Sequence, residues 1–288
     1  MKPASLRSLL YIPGHVEANV GKAAATAADV VILDLEDAVP PAGKDQARQM
    51  LPAAAACLHD RGKAVAVRIN NEDSLVDDDL EAATGAGADF VILPKVEDPA
   101  FVRQAASFIS AEGCDGLSLI GLIESPAGLL NAPAIAAAHP RLIALNLGTE
   151  DFCLEMGMEP DWDSLLYPSQ QIVTAARAAG KIPLGYAGSI ARYNDIGAFS
   201  TTAERSARLG FEGGFAIHPS QVSPLNAAFT PSEGAVTHAR RIVEAYEKSL
   251  AKGLGAVSLD NKMIDLPVVE KARRVLRLSA GAGPPARG

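Results

Sequence analysis

Cysteine is scarce in this 288-residue chain, and so are aromatic residues and clustered positive charge. The three cysteines, Cys57, Cys114 and Cys153, are odd in number and show no Cys-x-x-Cys spacing. That excludes a disulfide framework and a structural zinc site, and it fits a reducing cytoplasm. No Lys/Arg block stands out and the net charge is −8, so there is no electrostatic footprint for nucleic acid. An anionic ligand must therefore be met by a local site. No apolar run reaches the length of a membrane span, and the opening MKPASLRSLLYIPG lacks the apolar core and small-residue cleavage site of a secretory leader. The expectation is a soluble cytoplasmic protein that engages neither nucleic acid nor membrane. A GxGxxG turn is missing after the first strand-like run, which counts against a doubly wound dinucleotide fold. No HxH or HExxH arrangement offers a transition-metal site.

What is present is apolar surface, 48% of residues, in a regular rhythm. Short runs recur at SLLYIP (8–13), VVILDL (30–35), AVAVRI (64–69), FVILP (90–94), LSLIGLIE (117–124), RLIALNLG (141–148), IPLGYAG (182–188) and GGFAIH (213–218). Helical patterns lie between them, as at 43–60, 98–111, 161–179 and 194–209. Runs apolar on both faces and separated by helices predict parallel strands covered by helices. Eight such units predict an α/β fold, a (β/α)8 TIM barrel over residues 1–230. Residues 231–288 then form a small helical extension: one helix at 232–252, a turn at Lys252–Gly255 placed as a hinge, the stretch DNKMIDLP, and a helix over 267–278.

In such a barrel, polar residues at the C-terminal ends of strands share one face. The spacing puts there Asp34, Glu36 and Asp37, then Arg68 and Asn70, Lys95, Glu124, Glu150 and Asp151, and His218. Glu124 and Asp151 belong to consecutive strands, and two carboxylates held so close repel unless a cation or proton lies between them. Mg2+ suits such a pair, with waters and ligand oxygens completing its shell. The plainer reading has Glu124 capping the next helix and Asp151 solvated. Arg68, charged at the end of a buried strand, needs a partner: either Glu36 or Asp37, or a ligand carboxylate held in bidentate fashion. His218 reads as a loop organiser before Pro219, Lys22 and Lys44 as solvated helix charges, and Lys95 as a partner for Glu97. Trp162 and Tyr167 are expected against the barrel, and Cys153 as a small buried hydrophobe.

These segments together resemble a family. RSLLYIPG, VVILDLEDAVPPAGKDQAR, VRIN, LPKVED, LIESPAGLLNA, LGTEDF, GFEGGFAIHPSQV and KMIDLPVVEKAR are similar, in order, to the citrate lyase β-subunit-like lyases. These belong to the wider HpcH/HpaI aldolase group and include malyl-CoA and citramalyl-CoA lyases. The resemblance implies a (β/α)8 barrel that uses Mg2+, with Mn2+ as an alternative, to cleave or form a carbon–carbon bond beside a coenzyme A thioester. It implies Glu124 and Asp151 as metal ligands, with Glu36 and Asp37 acting near the metal through water. Arg68 falls at the reacting centre, and the Gly148–Thr149–Glu150 backbone around the carboxylate of a 2-keto acid such as glyoxylate or pyruvate. Tyr11, Pro13 and Lys22 fall towards coenzyme A. Asp265, in MID, matches an acid inserted from a neighbouring subunit of a homotrimer or hexamer. Set between Ile264 and Leu266, it is expected to be desolvated and poised for proton exchange. The local sequence alone favours a structural reading instead, in which Asp265 caps the helix that Pro267 opens.

Two departures stand out. After the first strand, Val16 and Asn19 occupy positions where relatives carry arginines, leaving His15 and Lys22 as the basic groups. GTEDF and AIHPSQ look more like the stand-alone CoA-dependent lyases than the true citrate lyase subunit. Three other readings stay open: a citrate lyase β subunit working in a complex, a CoA-independent pyruvate aldolase, and a binding module without turnover.

Overall fold

A computed structural model describes residues 5–251, 253–260 and 262–281. Eight parallel strands form one sheet: β1 (Ser8–Pro13), β2 (Val30–Asp34), β3 (Ala64–Arg68), β4 (Phe90–Leu93), β5 (Ser118–Ile123), β6 (Leu142–Leu147), β7 (Ile182–Leu184) and β8 (Gly214–Ala216). Their ladder runs β7-β6-β5-β4-β3-β2-β1-β8, so neighbours in sequence are neighbours in space. The remaining seam is closed where Gly185 N donates to Gly213 O and Glu212 N to Pro183 O, each at 2.9 Å. This is the (β/α)8 barrel that the apolar rhythm predicts. All five residues of β2 are buried, as a strand covered on both faces must be.

The helices between strands are α1 (Glu17–Ala24), α2 (Lys44–His59), α3 (Asp73–Gly85), α4 (Pro99–Ala111), α5 (Pro126–Ala136), α6 (Thr149–Met156), α7 (Trp162–Ala178), α8 (Ile196–Leu209) and α9 (Val222–Phe229). Local sequence sets their starts. Asp98, Ser125, Asp161 and Asp195 each accept a backbone N–H of the helix they precede, a contribution of about 1 kcal/mol apiece. Pro99 and Pro126 add a pre-set φ at the first helical position. Trp162 packs on the barrel core as expected, whereas Tyr167 is 65% exposed. Tyr167 belongs to the solvent side of α7.

Contacts divide the chain after Phe229. The smaller unit holds α10 (Glu233–Leu250), an antiparallel hairpin of β9 (Val257–Leu259) and β10 (Lys262–Ile264), and α11 (Leu266–Ser279). It has its own core of Ala239, Ile242, Tyr246, Ile264, Val269 and Ala272. Because α10 packs on α11, the turn expected as a hinge lies inside this unit, with Lys252 itself outside the described residues.

Candidate active site

The C-terminal ends of the strands enclose a cavity of about 460 Å³. Tyr11 and Pro13 of β1, Asp34 of β2, Arg68 of β3, and Asp37 line it, together with Glu124, the segment Gly148–Asp151, and an apolar wall that includes Leu122, Tyr186 and Phe215. The face rule therefore gathers most of the residues that the sequence singles out.

Glu124 follows β5 directly and is 7% exposed. It does not cap α5, a task that falls to Ser125 through Gly128 N. Instead its Oε2 accepts the Lys95 main-chain N–H at 2.7 Å. Lys95 reaches that position with φ 50°, a left-handed conformation uncommon outside glycine. Burial, then the charges of Glu36 and Asp151, push the Glu124 carboxyl up to about 7 against the Lys95 amide and Arg68. Gly148 makes the close packing possible: a Cβ there would lie 2.4 Å from Glu124 Cγ and 2.6 Å from Oε1.

Asp151 sits in the first turn of α6, half-buried, rather than in a solvated loop. Gly148 precedes that helix with no side chain to cap it, so the opening amides of Thr149, Glu150 and Asp151 have no intrahelical acceptor. Thr149 Oγ1 donates to Gly188 O at 2.9 Å, and Glu150 Oε1 accepts from Ser189 Oγ at 2.6 Å. The loop after β7 thus pins the start of α6.

Arg68 has the structural partners expected in Glu36 and Asp37, and a further, unexpected one in Asp34. Arg68 Nε and Nη2 donate to Asp34 Oδ1 and Oδ2, both at 2.7 Å, so the bidentate edge is not free for a ligand carboxylate. Cross-strand register sets this pair, since Asp34 lies opposite Arg68 in the β2–β3 ladder. Nη1 stands 2.9 Å from Glu36 Oε2 and 3.5 Å from Asp37 Oδ2, and the guanidinium lies 4.7 Å from the Tyr11 ring centroid. The Glu36 contact is an ion pair without hydrogen-bond alignment, because Oε2 counts as buried and unpartnered. Burial opposes the Arg68 charge, but Tyr11, Asp34 and Glu36 outweigh it and raise its pKa. Lys95 pairs with Glu36 at 2.9 Å, not with Glu97.

Five carboxylates (Asp34, Glu36, Asp37, Glu124 and Asp151) surround two cations here, Arg68 and Lys95. Among the described residues no three His, Cys, Asp or Glu side chains are gathered as a closed metal cage. Two hard oxygen donors at an open cavity, with Glu124 strained towards protonation, suit a cation that keeps waters and ligand oxygens in its shell.

Residues 7–219 match the description HpcH/HpaI aldolase/citrate lyase. The chain belongs to that family. It is 37% identical over 284 residues to the citrate lyase subunit beta of Escherichia coli K12, covering 96% of this chain and 93% of that one. It is also 37% identical over 300 residues to an L-malyl-CoA/beta-methylmalyl-CoA lyase of Cereibacter sphaeroides, covering 94% and 93%. Among solved structures, protein CitE of Mycobacterium tuberculosis in complex with magnesium, acetoacetate and coenzyme A superposes with a TM-score of 0.76 at 30% identity, covering 97% of this chain and 100% of that one.

Within this HpcH/HpaI chain several expected residues stand elsewhere or act otherwise. Lys22 is exposed on α1 and does not line the cavity. Lys44 is no solvated charge: its Nζ donates to Leu35 O, Glu36 O and Asn70 Oδ1 at 2.6–2.7 Å, and so holds the loop after β2. Sequence reasoning missed this clamp, although nine-residue spacing from Leu35 in a turn with Pro40 and Pro41 was its visible trace. His218 organises its loop as expected, its Nδ1 accepting from Ser220 N, with Tyr193 stacked at 4.8 Å. Cys153 is buried, and burial followed by the Glu150 charge moves its thiol up to about 11, away from nucleophile chemistry. Asp265 lies in the smaller unit, where it caps α11 through Val268 N at 3.3 Å. It is only half-buried, because Met263 is 70% and Leu266 53% exposed, so the expected desolvation is missing within one chain.

Proposed function

We propose that this chain is a divalent-cation-dependent carbon–carbon lyase acting on a 3-hydroxyacyl-CoA such as malyl-CoA or citramalyl-CoA, reversibly giving acetyl-CoA and glyoxylate or pyruvate. The observation that carries this reading is the convergence of Glu124, Asp151 and the open N-terminus of α6 on one cavity of an HpcH/HpaI barrel. Glu124 and Asp151 would hold Mg2+, or Mn2+ in its place, with Glu36 and Asp37 near it through water. When bound, the cation supplies Lewis acidity to the keto oxygen.

The chain's own groups supply the rest. The amides of Thr149 and Glu150 hold the keto-acid carboxylate, since a helix N-terminus favours an anion. The Glu150 side chain, kept by Ser189, stabilises that segment. Arg68 offsets developing oxyanion charge through Nη1, its one nitrogen outside the Asp34 pair. In cleavage the C2–C3 bond breaks as the hydroxyl loses its proton, and a proton returns to the acetyl carbon. Asp265 of a neighbouring copy is assigned that second transfer in a homotrimer or hexamer. Its exposed flanks, Met263 and Leu266, support insertion into another surface. Tyr11 and Pro13 line the cavity and would meet the coenzyme A portion of the substrate, whereas Lys22 would reach it only from outside the cavity.

The test is a panel of CoA thioesters with Mg2+, reading keto acid and free CoA separately. Keto acid without CoA release establishes the lyase, whereas CoA release alone indicates hydrolysis and overturns it. Equal identity to a citrate lyase subunit favours one second reading. Under that reading, free CoA esters stay uncleaved and a carrier-bound citryl thioester is cleaved only with partner subunits.

A further inference from the structure

One carboxylate at the barrel mouth has all its acceptor positions filled. Asp34 Oδ1 accepts from Arg68 Nε at 2.7 Å and Glu36 N at 2.9 Å, while Oδ2 accepts from Arg68 Nη2 at 2.7 Å and Ala38 N at 3.2 Å. An ionised carboxylate offers about four lone-pair sites. Asp34 therefore has nothing left with which to hold a cation or take a proton, although it lines the cavity. The same bonds fix Arg68. With Nε and Nη2 occupied and the Tyr11 ring 4.7 Å from the guanidinium, the nitrogen turned to Glu36 and Asp37 is Nη1.

We propose that Asp34 is a positioning residue: it selects the nitrogen that Arg68 presents to the reacting centre and couples it to the loop carrying Glu36 and Asp37. A carboxylate that bonded the guanidinium alone would be an ordinary buried ion pair. This one also holds the two backbone amides that shape the loop, so the arginine and the loop acids move as one body. Placing Arg68 at the reacting centre rests on the lyase reading, whereas the pinning itself does not.

Two measurements test the proposal. The first is a double-mutant cycle on the full-length enzyme with Asp34→Asn and Arg68→Gln. If Asp34 acts through Arg68, Asp34→Asn lowers kcat by about tenfold or more, leaves the thioester KM within about threefold, and changes kcat less than about twofold when Arg68 is already Gln. Losses that simply multiply overturn the proposal. The second needs no turnover: phenylglyoxal labelling of the cation-free protein, read by peptide mass spectrometry. Arg68 is expected to be protected in the parent and labelled several-fold faster in Asp34→Asn, and equal rates overturn the pinning. Should Asp34→Asn fail to fold, Asp34→Glu decides. It keeps the charge and displaces the carboxylate by one methylene, so a folded variant with reduced kcat supports positioning and full kcat refutes it. If the parent cleaves no thioester, the lyase reading fails while the labelling still settles the pinning.

Discussion

At the scale of single residues, Gly148 and Glu124 form one unit. The glycine is required by close approach, not by backbone conformation, because any Cβ at 148 meets the Glu124 side chain. Gly148→Ala is expected to displace Glu124 and weaken Mg2+ binding by about tenfold, that is, about 1.4 kcal/mol, in calorimetric titration. Its loss of thermal stability should be small. The Glu124 carboxyl also makes the cation-free protein pH-sensitive. Between its ordinary value of 4.5 and about 7, the folded chain holds a proton that the unfolded chain has released. The favourable contribution is thus complete below 4.5 and is lost as pH rises through about 7, by about 3 kcal/mol at most. Denaturant melts without divalent cation should show that decline, Glu124→Gln should lack it, and Mg2+ should offset it in the parent. Much of this was legible in the sequence, because position at a strand end implies a shared face. The Glu36 and Asp37 contacts of Arg68 were legible too, but its pair with Asp34 was not, since only strand register brings the two side by side.

At the scale of elements, the loop after β2 is held from two sides. Asp34 takes its amides, and Lys44 takes the carbonyls of Leu35 and Glu36. Asn70, itself bonded to the fully buried Asp79, completes the clamp. Lys44→Met leaves three acceptors without their charged donor, and a loss of about 3 kcal/mol is expected in chemical denaturation, with kcat falling as Glu36 and Asp37 lose their setting. A solvated lysine would show neither effect. The barrel strands were readable because burial on both faces leaves an uninterrupted apolar run, as in VVILD. The short helix α6 and the β9–β10 hairpin were not. Eight residues give too little periodicity to register, and the hairpin rests on the α10–α11 core rather than on its own sequence.

At the scale of the whole molecule, the chain is two units of opposite charge. Residues 231–288 carry ten Lys/Arg against six Asp/Glu, a net +4, whereas residues 1–230 carry 16 against 28, a net −12. A copy that offers its smaller unit to another's barrel would be attracted to it, more so at low salt. If Asp265 works in trans, Asp265→Asn and Glu124→Gln are each nearly inactive. Refolded together in equal amounts, they should recover about one quarter of parental activity, as random pairing in a symmetric oligomer requires. No recovery would place Asp265 outside the reaction or within its own subunit's site.

The barrel seam carries a dynamic consequence. Strands β7 and β8 have three residues each, and two backbone bonds join their sides. Local opening begins where the fewest bonds must break together. Amide hydrogens at Gly185 and Glu212 should therefore exchange with deuterated water sooner than those of β2 or β5 in mass-spectrometric hydrogen exchange. Because the segment after β7 also fastens Thr149 and Glu150, each such breath would slacken the start of α6, where the keto-acid carboxylate is proposed to bind. A keto-acid analogue bound there should slow exchange along the seam, although it touches neither strand's ladder.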